Sequence, residues 1–134
     1  MKKVLVFGTF DGVHEGHRAM LREAKLLGTY LIVAVAPDAI VKETKGTLPK
    51  YSSAQRISMI KNERLADDVV IADSEMHSWR IVKKYKPDIV ALGYDQDELK
   101  ASLEEYLENS VKKPTIVVLK AHQPDKFKSS LMNK

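Results

Sequence analysis

The sequence predicts an α/β fold in which five parallel strands form a doubly wound sheet with helices on both faces. Short apolar runs recur along the 134 residues, and helix-length segments separate them. Consecutive strands separated in this way need crossover connections, and such connections produce a parallel sheet. Because the composition is that of an ordinary globular protein of this length, we expect one domain over residues 1–134.

The five apolar runs are short and rich in β-branched residues, which is typical of strands buried on both faces. The predicted strands are Val4–Phe7, Tyr30–Ala36, Asp68–Ala72, Ile89–Leu92 and Thr115–Leu119. Helical patterns occupy residues 17–28, 52–63, 78–84 and 97–108, and a last helix is expected from residue 127. Gly28 is the expected C-cap of the first helix, and Ser52 with Gln55 is a capping-box pair at the start of the second.

The composition excludes several classes of function. The chain has no cysteine, so disulfides, thiolate metal sites and cysteine nucleophiles are excluded. The net charge of +4 suits a phosphorylated ligand and gives no argument for nucleic acid. The apolar run near the N-terminus is too short for a signal peptide or a membrane span. We therefore expect a cytoplasmic protein without a nucleic-acid or membrane partner.

The segment GTFDGVHEGH, Gly8–His17, follows the first predicted strand and opens the first predicted helix. In doubly wound sheets, ligands bind beyond the carboxyl ends of the strands. The glycines allow a tight turn, and a helix N-terminus attracts phosphate through its amides and its dipole. The spacing matches neither the dinucleotide fingerprint nor the P-loop. His14 and His17, three residues apart, can instead converge on one phosphate and stabilise its transition state.

Two other interpretations of this segment stay open from the residues alone. The histidines could bind a metal ion, with His77, His122 or Asp11 as a further ligand. Alternatively, Asp11 could cap the helix while the histidines are exposed turn residues.

Further candidates lie after the later strands. Lys42, Lys45 and Lys50 follow the second strand, in a loop that either neutralises triphosphate oxygens or is simply solvated. Asp95 and Gln96 follow the fourth strand and could contact a base or acceptor, although Asp95 could equally cap the next helix. Trp79, the only tryptophan, packs near the acceptor or fills the core.

The stretch GTFDGVHEGH resembles the G-x-[FY]-D-x-x-H-x-G-H signature of the cytidylyltransferase-like nucleotidyltransferases. The order of strands and helices over essentially the whole chain is similar to their Rossmann-like fold. The lysine loop and the sequence GYDQ, which ends at Gln96, resemble the archaeal-type FAD synthases in particular. The resemblance implies transfer of a nucleoside monophosphate from ATP or CTP to a small phosphorylated acceptor, with Mg²⁺ bound to the triphosphate. It also implies a homodimer.

The resemblance assigns roles to individual residues. His14, His17 and Lys45 would be catalytic. The acceptor would contact Asp11, Arg56 in the AQR segment, and Trp79. The nucleotide would contact residues of the first loop, the GYDQ segment and the tail: Gly8, Thr9, Phe10, Gly16, Asp95, Gln96, Ser129 and Ser130.

FMN with ATP is the first substrate pair that the resemblance suggests, and glycerol 3-phosphate with CTP is the alternative. The tail departs from the family pattern, because His122 stands where members carry an arginine. Lys126 and Lys128 could supply charge, but lysine does not reproduce the planar fork of arginine at a phosphate. A non-catalytic nucleotide-binding protein is therefore the alternative from a different class.

Overall fold

The computed structural model describes residues 2–74, 78–93 and 96–120. In this part of the chain, five strands form one sheet in the order β3-β2-β1-β4-β5, and every neighbouring pair is parallel. The strands are β1 (Lys3–Gly8), β2 (Tyr30–Val35), β3 (Asp68–Ile71), β4 (Ile89–Leu92) and β5 (Thr115–Val118). The predicted five-stranded parallel sheet is confirmed.

Helices connect the strands and cover both faces of the sheet. They are α1 (Glu15–Lys25), α2 (Asp38–Lys45), α3 (Ser53–Asn62), α4 (Arg80–Tyr85) and α5 (Asp97–Leu107). Side chains of β1 alternate between the two faces: Val4 and Val6 join the core under α1 and α3, whereas Leu5 and Phe7 join the core under α4 and α5. This alternation confirms the doubly wound architecture.

Helix α2 lies where the sequence was expected to form a loop. It begins after Pro37, carries Asp38 in its first turn, and ends at Gly46, whose φ of 83° is left-handed. An acid in the first turn and lysines in the last turn both favour the helix through its dipole. It has only eight residues and Val41 is its buried residue, so its apolar pattern was too short to reveal the helix from periodicity.

Two predicted helix signals have different outcomes. The capping box is confirmed, because Ser52 Oγ accepts the amide of Gln55 and the Gln55 side chain accepts the amide of Ser52. The prediction for Gly28 is wrong, since α1 ends with Leu26 as its C-cap. Gly28 instead permits a close approach of the backbone, because a Cβ there would lie 2.6 Å from the carbonyl oxygen of Lys2.

The order of the strands reverses at β1, between its neighbours β2 and β4, and the sheet opens a crevice at their carboxyl ends. Gln96 spans this crevice: its Oε1 accepts the amide of Gly93 at 2.7 Å, and its Nε2 donates to the carbonyl of Phe7 at 3.2 Å. One side chain thus joins the ends of β1 and β4 at the place where a ligand is expected.

The last predicted helix, from residue 127, lies outside the described residues, and so do Ser129, Ser130 and His122 of the tail. Within the described ranges, no helix is long and apolar enough to cross a membrane.

Candidate active site

A cleft of about 650 Å³ opens at the carboxyl ends of the strands. Its wall includes most of the predicted site residues: Gly8, Thr9, Phe10, Asp11, His14, His17, Lys45, Trp79 and Gln96. Gly16 and Arg56 do not line it, while Asp95, Ser129 and Ser130 lie outside the described residues. The structure therefore brings the glycine and histidine segment, the end of α2 and the crevice between β1 and β4 into one cavity.

His14 and His17 form a reciprocal cap at the start of α1. His14 is the N-cap residue, and its Nδ1 accepts the amide of Gly16 at 3.0 Å and that of His17 at 3.4 Å. In return, Nδ1 of His17 accepts the amide of His14 at 3.4 Å. The structural alternative in which Asp11 caps this helix is therefore wrong.

The caps determine which nitrogen of each imidazole can donate. An Nδ1 that accepts an N–H carries no proton, so a neutral ring in this arrangement has its proton on Nε2. The two rings stack with their centroids 3.9 Å apart and an angle of 18° between the planes, and both line the cleft. In the neutral pair, Nε2 is therefore the donor atom of each of two adjacent, nearly parallel rings.

The amides at the start of α1 are partly used by this cap. Those of Gly16 and His17 donate to His14, and that of Arg18 donates to the His14 carbonyl. Free amides were expected to hold phosphate directly. The direct contact with phosphate stays a prediction, and the amides of Gly16 and His17 would have to leave His14 to make it.

Phe10 explains why the segment needs its first glycine. The Phe10 ring is buried, and a Cβ on Gly8 would lie 2.5 Å from it. Phe10 also adopts a left-handed φ of 53°, which is costly for a residue with a side chain. Its ring packs edge-on against His17 with centroids 5.2 Å apart. Gly8 thus makes room for a ring that supports the histidine pair.

The carboxylate of Asp11 forms hydrogen bonds with the backbone of the segment that precedes α3. Its two oxygens accept the amides of Lys50 and Tyr51 at 2.7 and 2.9 Å. Partial burial acts to raise the pKa of Asp11, but these amides and the charges of Arg56 and Lys45 outweigh it, so the pKa lies below its ordinary value. Asp11 is therefore an ionised group at the rim of the cleft.

Arg56 was expected to meet phosphate or acceptor, and that expectation does not fit its position. Its side chain is 0% exposed, and its guanidinium donates to three backbone carbonyls and to the carboxylate of Asp38. A ligand could reach this group only after these bonds were broken. Sequence reasoning missed Asp38, because a single carboxylate after a proline carries no recognisable signal.

Trp79 both belongs to the core and contributes to the wall of the cleft. It is 4% exposed, its Nε1 donates to Ser102 Oγ at 3.1 Å, and it packs edge-on against Phe7. Phe7, Ala34 and Ala72 form the neighbouring apolar wall over β1, β2 and β3. Asp73, whose Oδ2 accepts the amide of Ile81, adds a carboxylate at this end, which sequence reasoning had not selected.

No group of three or more histidine, cysteine, aspartate or glutamate side chains within the described ranges could hold a metal ion. Mg²⁺ is commonly bound through one or two carboxylates together with substrate phosphates, so it does not require such a group. Asp11 and Asp73 are carboxylates of this kind in the wall of the cleft. The donor set fits an ion that arrives with a triphosphate.

The family model described as cytidylyltransferase-like matches residues 5–133. This chain belongs to that family. The recognised family and the assignment as a nucleotidyltransferase are thereby confirmed.

Several relatives support the same assignment. The chain is 38% identical over 129 residues to a protein named FAD synthase from Thermococcus sibiricus, and 40% identical over 129 residues to another from Pyrococcus abyssi. Each match covers 96% of this chain and 87% of the relative. Among solved structures, the chain is similar to a lipopolysaccharide core biosynthesis protein from Thermoplasma volcanium, with a TM-score of 0.81 and 31% identity. That match covers 90% of this chain and 97% of the other.

Proposed function

We propose that this protein transfers the adenylyl group of ATP to FMN, which produces FAD and pyrophosphate. The observation that carries the proposal is the stacked pair of His14 and His17, whose rings are held at Nδ1 and line the cleft at the carboxyl ends of the strands. The extended similarity to proteins named FAD synthase supports FMN as the acceptor.

The reaction is an in-line displacement at the α-phosphorus of ATP. An oxygen of the FMN phosphate forms a new bond to the α-phosphorus, and the bond from that phosphorus to the oxygen bridging to the β-phosphate breaks. The bonding electrons leave with pyrophosphate, so no covalent enzyme intermediate is needed. The protein contributes positioning and charge stabilisation.

His14 and His17 donate their Nε2–H groups to the α-phosphate oxygens as negative charge accumulates there. Because each ring is held at Nδ1 by a backbone amide, the donors are oriented before the substrate arrives. Preorganised donors of this kind commonly contribute about 10²–10³-fold to the rate each.

Lys45, at the end of α2, also lines the cleft and would neutralise the leaving pyrophosphate. Ser129 and Ser130 of the tail would help to hold it. Gly8, Thr9, Phe10, Gly16, Asp95 and Gln96 would surround the nucleotide. For Gln96, the bonds to Gly93 and Phe7 support an indirect contribution through the shape of the crevice between β1 and β4.

The acceptor would occupy the other end of the cleft, where Phe7, Ala34, Ala72 and Trp79 form an apolar wall. The crevice between β1 and β4 suits the nucleotide by the general rule for these sheets, which leaves the β2–β3 side for the acceptor. A planar aromatic ring such as that of flavin gains most from aromatic and apolar neighbours. Asp11 lines the same cleft and would contact the acceptor.

Mg²⁺ bound to the triphosphate would offset its negative charge. We include it in the proposal with Asp11 or Asp73 as its protein ligand, because each is a carboxylate in the wall of the cleft. A homodimer and a cytoplasmic location are also part of the proposal. Light scattering during size-exclusion chromatography would test the dimer, for which a mass of about twice 15.1 kDa is expected.

The test is pyrophosphate release by the purified protein with Mg²⁺, in four reactions that combine ATP or CTP with FMN or glycerol 3-phosphate. We expect pyrophosphate and FAD in equal amounts with ATP and FMN, and little release in the other three reactions. Release with CTP and glycerol 3-phosphate would replace the proposed substrates. No pyrophosphate release in any of the four reactions, together with measurable ATP binding, would indicate a non-catalytic nucleotide-binding protein.

A further inference from the structure

Arg56 lies near the start of α3, and its charged side chain is completely buried. Its Nη1 donates to the carbonyl oxygens of Thr9 at 2.8 Å and Ala36 at 2.7 Å. Its Nε donates to the carbonyl of Tyr51 at 3.0 Å, and its Nη2 lies 2.6 Å from Asp38 Oδ1. Most of the donors of this rigid, planar group are therefore used within the protein.

The four partners of Arg56 belong to three separate segments of the chain. Thr9 follows β1 and leads to the histidines, and Ala36 follows β2. Asp38 begins α2, which ends at Lys45, while Tyr51 precedes α3. One guanidinium therefore connects the backbone beside the histidine pair with the start of the helix that carries Lys45.

Asp11 completes the arrangement from the other side of Tyr51. Its carboxylate accepts the amide of Tyr51, whereas Arg56 donates to the Tyr51 carbonyl. The peptide groups on both sides of this residue are thus held by side chains. The proposed reaction needs the histidine pair and Lys45, which lie on different elements. A small number of charged hydrogen bonds sets their relative placement.

We infer that Arg56 is a positioning residue for adenylyl transfer, which fixes His14 and His17 relative to Lys45. The inference rests on the proposed function for the reaction that it affects. A role as a phosphate ligand would require Arg56 to leave three carbonyls and Asp38, and the complete burial of its side chain opposes this. Catalysis depends steeply on such placement, since a shift of about 1 Å can cost about 10²-fold.

The primary test is Arg56→Lys, which keeps the charge but lacks the planar fork that reaches several carbonyls at once. We expect kcat to fall about 10²-fold, while the KM for ATP changes by less than about threefold because ground-state binding is retained. Arg22→Lys is the matched control, since Arg22 lies on the exposed surface of α1. Circular dichroism and the melting temperature establish that each variant is folded.

A second test asks whether Arg56 acts through Lys45. If it does, Arg56→Lys costs less in a Lys45→Ala background than in the wild type, about tenfold or less. Asp38→Asn keeps the size of the side chain and removes its charge, so it should also lower kcat, by a smaller factor than Arg56→Lys. Both variants keep a cation at position 56 and avoid the buried cavity that Arg56→Ala would leave.

Two kinetic results would overturn the inference. An unchanged kcat with a KM for ATP raised tenfold or more would make Arg56 a ligand. An equal loss in the presence and absence of Lys45 would make its role general to the fold. If the wild type forms no FAD, the proposed function fails, but the positioning role of Arg56 can still be tested. The ¹⁵N resonances of His14 and His17 provide that test. We expect Arg56→Lys to shift them, and unchanged resonances would contradict the inference.

Discussion

The imidazoles of His14 and His17 stack at 3.9 Å, and each accepts a backbone amide of the α1 N-terminus through Nδ1. The same pair therefore caps the helix and lines the cleft, where its Nε2 atoms are the proposed donors. Substitution can separate the structural role of Nδ1, which caps the helix, from the proposed catalytic role of Nε2.

His14→Ser separates capping from catalysis, because serine is a good N-cap but has no donor that extends into the cleft. We expect kcat to fall about 10²–10³-fold for both His14→Ser and His14→Ala. The alanine variant should additionally lose about 1 kcal/mol of unfolding free energy relative to the serine variant. Steady-state kinetics and urea denaturation of the two variants measure these effects. Full activity in the serine variant would remove His14 from the mechanism.

Gly8→Ala should perturb the histidine pair without touching it. The new Cβ would lie 2.5 Å from the Phe10 ring, which in turn packs on His17. We expect a loss of about 1–3 kcal/mol of unfolding free energy from overpacking, together with lower activity. Adding Phe10→Leu should restore part of the stability by making space. If Gly8→Ala is neutral, Phe10 does not fill that space in solution.

Lys45→Ala tests the charge at the end of α2. Removing a cation from the wall of the cleft should lower kcat/KM for ATP by about 10–100-fold. Lys42→Ala is the matched comparison, since Lys42 lies in the same last turn but does not line the cleft, and it should cost less. Equal losses at both positions would indicate a diffuse effect of charge, and high salt would then weaken both alike.

Asp67 provides a pH test of the fold. Its hydrogen bond from Lys25, followed by the amide of Leu31, lowers the pKa of the Asp67 carboxyl below its ordinary value of 3.8, although burial opposes this. A lowered pKa contributes stability above the unfolded value, and that contribution is lost as the pH falls through the folded value.

Asp67→Asn should therefore be less stable than the wild type by on the order of 1 kcal/mol near neutral pH. The difference should shrink as the pH falls below the ordinary value of 3.8 and through the lower folded value, where the wild-type carboxyl becomes protonated. Urea denaturation at a series of pH values measures it. A difference that grows toward acid pH would contradict the assigned cause.

The strands were predictable because parallel strands buried on both faces leave continuous apolar runs, as at Tyr30–Val35. The histidine pair was predictable from its spacing of three residues. Helix α2 was not, since it has only eight residues and Val41 is its buried residue. The position of Arg56 was beyond local reasoning, because Thr9 lies 47 residues away and Ala36 lies 20 residues away along the chain.

The sequence predicted that another group approaches Gly8 closely, but not which group it is. Glycine was expected there so that phosphate could approach the backbone. The structure shows that the space beside Gly8 is filled by the Phe10 ring. Which group fills the space around a glycine depends on the backbone angles of its neighbours, here the left-handed Phe10, and no residue pattern reveals them.

The most direct test of the proposed reaction uses FMN with ¹⁸O in its phosphate group, incubated with ATP, Mg²⁺ and the wild-type protein. Attack by the FMN phosphate on the α-phosphorus places ¹⁸O in the bridge between the two phosphates of FAD and leaves the released pyrophosphate unlabelled. Phosphorus NMR and mass spectrometry detect both products. Label in pyrophosphate, or no FAD from protein that binds ATP, would contradict the proposed adenylyl transfer.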